Sequence, residues 1–426
     1  MSDSDALSDA LAISRGERPF TWEDWAQNVH EAETLTPQGR AVVLSMIDAI
    51  VDCLGVDWLP RSYERFRKSG GDVDLPLLSM SWWPSNQAPH VFSRLIWLGC
   101  QIRMFRQHPG FGKLRKNMQR DLGFFEHGLM QLEVGALAAK AGWSVTFEPP
   151  VDPGRPGRGD VLLTRGYERM LVEVKGFEID QTTGTDMRTS GLIGSPMGLM
   201  QMELQVTFAG EIEPDFPREM VNDFLAQLRE LGHASKASGL ALIATTPGGR
   251  TIEVLPFLRE GVSHTMPIRH GNEMRRIENV VEAKCVQGAG SMPLWLRINE
   301  TNLFWAMAKP PDYPRPKLHE FLATKLASFV ASHEHVAGVM FSATPSFGVL
   351  SGSPEWQNLG GRSLSMFRTT ITGFCRETLL VPGPHELAAS QLYEWRSWYS
   401  REESWLEWGL EQLGIPPITE LLALAG

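Results

Sequence analysis

Cysteine is scarce in this sequence. The 426 residues hold four, Cys53, Cys100, Cys285 and Cys375, far apart and without a Cys-x-x-Cys pair. That spacing offers no disulfide framework and excludes a zinc site of the usual sequence signature. Long apolar runs are missing as well. The best stretch, 95–100, falls far short of the roughly 20 residues that a membrane span needs. No Gly-x-x-x-x-Gly-Lys-Ser/Thr occurs, so the common phosphate-cradling ATPase loop is absent. Gly154-x-x-Gly157-x-Gly159 leads into a predicted strand rather than a helix, which excludes a dinucleotide fingerprint. Nor is there a basic surplus. The net charge is −10, whereas nucleic-acid binders usually carry a basic patch. The opening Met1-Ser2-Asp3-Ser4-Asp5 is acidic, unlike a secretory signal. We therefore expect a cytoplasmic protein with no membrane partner.

What is present points to a large folded chain. Apolar residues make up 42% of the sequence, enough for a sizeable core, and the length predicts two or three domains. Residues 1–115 read as a mostly helical domain, with Thr36-Pro37 as a cap and first helical position and strong apolar periodicity over 41–54. Residues 116–300 form a mixed core, and 301–426 a mixed α/β domain. The latter reads as a helix over 318–332, a strand over 336–342, a loop over 354–362 and a helix over 384–413. That last helix carries Trp395, Trp398, Trp405 and Trp408 on one face, which we read as packing because tryptophan buries a large area. His333-Glu334-His335 is not a usual metal motif, and we expect it to face solvent. No internal repeat or low-complexity tract is present.

The most informative segment lies in the middle. Gly159-Asp160-Val161-Leu162-Leu163 and Met170-Leu171-Val172-Glu173-Val174-Lys175-Gly176 flank a polar connector that contains Gly166. This pattern predicts a β-hairpin. Side chains alternate along a strand, so Glu173 and Lys175 share a face, and Asp160 opens the partner strand. Two carboxylates and an ammonium gathered at a sheet end suit a Mg2+-dependent phosphodiesterase. Mg2+ takes oxygen ligands, usually one or two carboxylates plus water and phosphate. It offsets phosphate charge and lowers the pKa of its bound water, while lysine adds positive charge beside the reacting phosphate. An acid-x-base triplet is also common on a solvated strand, so its context matters. Before the hairpin, 122–141 shows helical spacing, with Glu126, Glu133 and Lys140 recurring every seven residues. Gly142 ends that helix, a strand follows over 143–147, and 152–159 is a loop by composition.

This order of acidic helix, strand, loop, Asp strand and Glu-x-Lys strand resembles the PD-(D/E)XK nuclease superfamily. The likeness is close over 122–175 and looser to 299. It implies an α/β (α+β) fold with a restriction-endonuclease-like mixed sheet flanked by helices. It also implies that Asp160 and Glu173 are metal ligands, and that Lys175 positions the water and steadies the transition state. A third acid often comes from the first helix of such folds. Glu133 is then the first choice as catalytic residue and metal ligand, and Glu126 the second. The usual proline before the Asp is Gly159 here, and Glu133 lies nearer to Gly142, and Glu126 farther, than the family's helix acid normally does.

Two segments compete to close the sheet. One is a helix over 218–233 followed by a strand over 239–244. The other is a helix over 274–287 followed by a strand over 293–298. The second carries Lys284-x-x-Gln287, a helix position that often faces the active site in the family, and leaves about 177–270 as an insertion. The resemblance implies Mg2+ (or Mn2+) and a DNA partner, with RNA chemically equivalent at the phosphate. Lys113 and Lys116, in the basic run between 103 and 120, and Arg155 and Arg158 beside the hairpin are candidate phosphate contacts, together with Lys284 and Gln287. It further suggests a bacterial restriction or phage-defence nuclease, a homodimer for double-strand cutting, and a separate nucleotide-hydrolysing subunit if cleavage is gated by nucleotide. The alternative is a nuclease-like module without catalysis that binds nucleic acid or protein.

Overall fold

A computed structural model describes residues 18–68, 89–150, 159–176, 204–208, 221–245, 251–256, 263–265, 273–288, 290, 292–300, 315–343, 355–359, 363–369, 375–400 and 402–423. Arg155 and Arg158 lie outside these residues, as do the loop 72–87 and most of the segment 177–220.

The fold is mixed α/β. Six helices come first: α1 (Trp22–Glu31), α2 (Pro37–Leu54), α3 (Trp58–Lys68), α4 (Pro89–Phe105), α5 (Phe111–Met118) and α6 (Leu122–Lys140). Their starts follow from sequence. The Thr36 hydroxyl accepts from Gly39 N–H with Pro37 at the first helical position, and Thr21 and Asp24 close a reciprocal cap on α1. Strands β1 (Ser144–Phe147), β2 (Val161–Arg165) and β3 (Glu168–Gly176) form an antiparallel meander, and the expected hairpin is β2–β3. Gly166 supplies the turn with φ of 60°.

The described residues before 66, from 89 to 176 and from 274 onward form one compact unit, and those of 204–273 with 66–68 form a second. In the second unit, β4 (Leu204–Phe208), β5 (Leu242–Thr245), β6 (Thr251–Pro256) and β7 (Ser263–Thr265) make a sheet of order β5-β6-β4-β7 beside α7 (Val221–Ser238). Its span lies within a few residues of the insertion read at about 177–270.

In the first unit the chain continues through α8 (Glu273–Gln287), β8 (Leu294–Glu300), α9 (Arg315–Val330), β9 (Val336–Ala343), β10 (Glu355–Asn358), β11 (Leu364–Thr369) and β12 (Cys375–Pro382). Helices α10 (Ala388–Ser400), α11 (Glu402–Gln412) and α12 (Ile418–Leu421) complete it. Its eight-stranded sheet runs β1-β2-β3-β8-β9-β12-β11-β10, parallel across β3-β8-β9 and antiparallel elsewhere. The sheet is therefore closed by α8–β8. The competing pair α7–β5 belongs to the second unit.

The boundaries read at 115 and 300 are not boundaries between compact units, because β9–β12 extend the same sheet as the hairpin. The chain's far segment also returns to its front: Leu35 bridges Leu422, and Thr36 N–H donates to Leu421 O at 3.1 Å. Part of the loop expected over 354–362 is strand β10, and the aromatic helix is two helices, Ala388–Ser400 and Glu402–Gln412. Trp395, Trp398 and Trp405 are buried, as packing requires, and Trp408 is half-buried.

Side-chain alternation sorts the layers. Leu171, Leu294, Leu296 and Ile298 pack with Ile277, Val281 and Cys285 of α8 and with Leu322, Leu326 and Val330 of α9. On the other face, Trp295 donates to Gln391 of α10 at 2.7 Å, and Arg297 meets Glu133 of α6. Among the described residues, no helix is long and apolar enough to cross a membrane.

Candidate functional site

The hairpin register decides the geometry. Val161 pairs with Val172, so the next step outward sets Asp160 opposite Glu173. Both side chains are buried. Glu173 lies on the face of β3 packed by α8, between Leu171 and Lys175. Helix α8 delivers Lys284 to the pair. Its Nζ donates to Asp160 Oδ2 at 3.0 Å and to Glu173 Oε2 at 2.7 Å.

Asp160 is the better-partnered acid of the pair. Its Oδ2 also accepts from Val174 N–H at 2.8 Å, and its Oδ1 lies 2.9 Å from His127 Nε2 and 3.4 Å from Gln131 Nε2. Glu173 has less. Its Oε2 has the Lys284 ammonium, and its Oε1 is buried without a hydrogen-bond partner among the described residues. The two acids titrate as a pair in which one keeps the charge. Burial opposes ionisation of Asp160, but the hydrogen bond and charge of His127 and the charge of Lys284 outweigh it and hold Asp160 well below the carboxylate range. Burial and the neighbouring Asp160 charge push Glu173 up, against the pull of Lys284. Burial also opposes the Lys284 charge, yet the two carboxylates hold that ammonium above its ordinary value.

A third carboxylate stands one link away. Glu148 Oε1 accepts from Gln131 Nε2 at 3.0 Å and from Asn117 Nδ2 of α5 at 3.2 Å, and Glu148 N–H donates to Asp160 O at 2.9 Å. Glu148 has φ of 50°, the one left-handed non-glycine among the described residues. Such strain persists only where its surroundings fix it, and here three hydrogen bonds do so.

Sequence reasoning and structure agree on part of this set. Asp160 and Glu173 come together. Lys175 is half-buried on the same face, two residues beyond Glu173, and makes no hydrogen bond or ion pair with another described residue. Glu133 does not join the acid pair. It is buried against Arg297 NH2 at 3.2 Å on the opposite face of the sheet. Seven residues advance about 10 Å along a helix, so acids at that spacing share a stripe but cannot meet at one target. Glu126 is half-buried on α6, with Oε2 3.9 Å from the point where a Cβ on Gly176 would stand. Lys284, expected as a phosphate contact, instead binds both acids. Gln287 is exposed one turn further on, and Lys113 and Lys116 are exposed on α5.

His127, Gln131, Glu148 and Asn117 were missed. The signal for the first two was available: His127 and Gln131 are a polar i, i+4 pair, which shares one face of the helix. Asn117 and Glu148 carry no such sign.

Among the described residues, no group of three or more His, Cys, Asp or Glu side chains is arranged to hold a metal ion. This donor set does not suit zinc. It does suit Mg2+, which needs only one or two carboxylates because water and phosphate supply the rest. Asp160, and Glu173 with its unpartnered Oε1, are the residues that would hold it. No family model matches the chain, and neither curated proteins nor solved structures yield a match.

Proposed function

We propose that the chain is a Mg2+- or Mn2+-dependent nuclease that hydrolyses phosphodiester bonds of DNA on a restriction-endonuclease-like fold, in the setting of bacterial restriction or phage defence. One observation carries this reading: Asp160 and Glu173 oppose each other across a hairpin, with a buried oxygen unpartnered and an ammonium in reach. The strand order supports it, since the hairpin is followed by α8 and the parallel strand β8.

In this reading Asp160 and Glu173 would hold the cation, which would supply an acidified water and offset phosphate charge. His127 and Gln131 fix the rotamer of Asp160. Val174 N–H anchors its second oxygen. The Lys175 and Lys284 amines supply positive charge for the phosphoryl oxygens. The sheet and its packed helices hold these groups on rigid elements.

The test uses supercoiled plasmid with Mg2+ or Mn2+. Asp160→Asn and Glu173→Gln should each lower nicking about a thousandfold, the several kcal/mol that a bound cation contributes. Circular dichroism should show both variants folded. Wild-type cutting by both variants would end the reading.

A second reading has its own support. Lys284 already neutralises the acid pair, and Glu173 is sealed from solvent. Both features suit a nuclease-like module that binds nucleic acid without cutting it. That reading expects DNA binding with no cleavage under either cation.

A further inference from the structure

The partners of the acid pair differ in how firmly they are fixed. His127 and Gln131 sit in the middle of α6, and Val174 N–H belongs to the strand ladder. Val174 N–H is main chain and cannot leave Asp160 without moving the strand, and the His127 imidazole and Gln131 amide hang on shorter side chains than a lysine's. Lys284 is different. Its ammonium rides on four rotatable bonds, more than any other partner of the pair has. It nonetheless takes one oxygen from each acid, Asp160 Oδ2 and Glu173 Oε2. Those are hard oxygen donors of the kind a divalent cation requires, and an ammonium hydrogen-bonded to both competes for them. Lysine is a compact point charge with no fixed hydrogen-bond geometry, so it can act as a removable counterion where arginine would be locked in place.

We propose that Lys284 is an internal counter-cation: it neutralises Asp160 and Glu173 in the metal-free protein and leaves them when a divalent cation binds. This inference rests on the nuclease reading and adds a rule for when the site is armed. The cation must displace an ammonium, so its apparent affinity is set by that competition. The displaced amine then lies beside the cation, where a phosphate anion would meet it.

A fixed structural brace and an exchangeable counterion make opposite predictions. The full-length chain is titrated with Mn2+ by calorimetry in three forms: wild type, Lys284→Gln and Asp160→Asn. Asp160→Asn should abolish binding. Lys284→Gln should bind Mn2+ about tenfold or more tightly than wild type, because the competitor is gone. It should also melt at lower temperature without metal and gain more from Mn2+ than wild type does. Equal or weaker Mn2+ binding by Lys284→Gln overturns the proposal and leaves the nuclease reading standing if wild type binds and Asp160→Asn does not. Absence of Mn2+ binding by every form removes both.

A measurement on the wild-type chain covers the case in which Lys284→Gln does not fold. An amine-acylating ester, read by peptide mass spectrometry, should label Lys284 several-fold faster with Mn2+ than without. Lys325, exposed on α9, serves as the unchanged reference. Constant labelling of Lys284 while Mn2+ binds would refute the exchange.

Discussion

Burial is the largest influence on the chemistry of three thiols. Cys53, Cys100 and Cys285 lie inside the first unit, and loss of hydration pushes each up to about 12. Arg115 and Arg103 pull the first two down a little, and Glu282 adds to the rise at Cys285. The thiolate is the reactive form, so none of the three should react quickly with a thiol-specific disulfide reagent in native protein at pH 8. All three should react once the chain is unfolded. Linkage sets a second consequence. The fold favours the neutral thiol, so this contribution is intact below the ordinary value of 9.0 and fades as pH rises towards 12. Fast labelling of native Cys285 would mean that α8 opens easily, and the Lys284 contacts with it. The same burial acts on Asp160, but hydrogen-bond donors on both of its oxygens reverse the outcome, and its carboxylate stays charged.

At the level of elements, the pairing of Glu133 with Arg297 ties α6 to the centre of the sheet. Both side chains are buried, and Arg297 NH1 also donates to Ile298 O at 3.0 Å. Removing one partner of a buried pair leaves an uncompensated charge and typically costs about 3–5 kcal/mol. Glu133→Gln keeps the shape and loses the charge. It should lower stability in urea unfolding by roughly 3 kcal/mol while leaving Mn2+ affinity unchanged. Loss of Mn2+ binding in a folded Glu133→Gln protein would return Glu133 to the acid site. This pairing also shows what sequence can reveal. The hairpin was legible because alternation, Gly166 and two acids coincide within 17 residues, from Asp160 to Gly176. The helices α2 and α6 were legible from Thr36-Pro37, Gly142 and apolar periodicity. Long-range choices were not. No local pattern brings Lys284 to Asp160, 124 residues away; only the resemblance turned it towards the site. Nothing in 355–382 marks β10, β11 and β12 as strands that extend the same sheet beyond β9, because alternation shows a strand but not its distant partner.

Over the whole molecule, charge sets the terms for a polyanionic partner. A chain with net charge −10 repels DNA at long range, so on the proposed nuclease reading affinity would have to come from a local cluster. Helix α5 offers one. Lys113, Arg115 and Lys116 are exposed on eight residues, Arg120 follows at its end, and no acid interrupts them. The helix is also wired to the acid pair. Asn117 holds Glu148, Gln131 holds both Glu148 and Asp160, and Gly110 at the start of α5 sits so close to Phe147 that an added Cβ would meet its carbonyl at 1.7 Å. A phosphate backbone lying on α5 would therefore run towards the hairpin end that carries Asp160. The double variant Lys113→Glu, Lys116→Glu tests this on a duplex in fluorescence anisotropy across a salt series. Each phosphate contact adds roughly 0.9 to the slope of log affinity against log salt, so losing two should flatten it by about two. Affinity at low salt should drop about tenfold or more, and Mn2+ affinity should not change. An unaltered salt slope would move the DNA face away from α5 while leaving the acid pair and its lysine untouched.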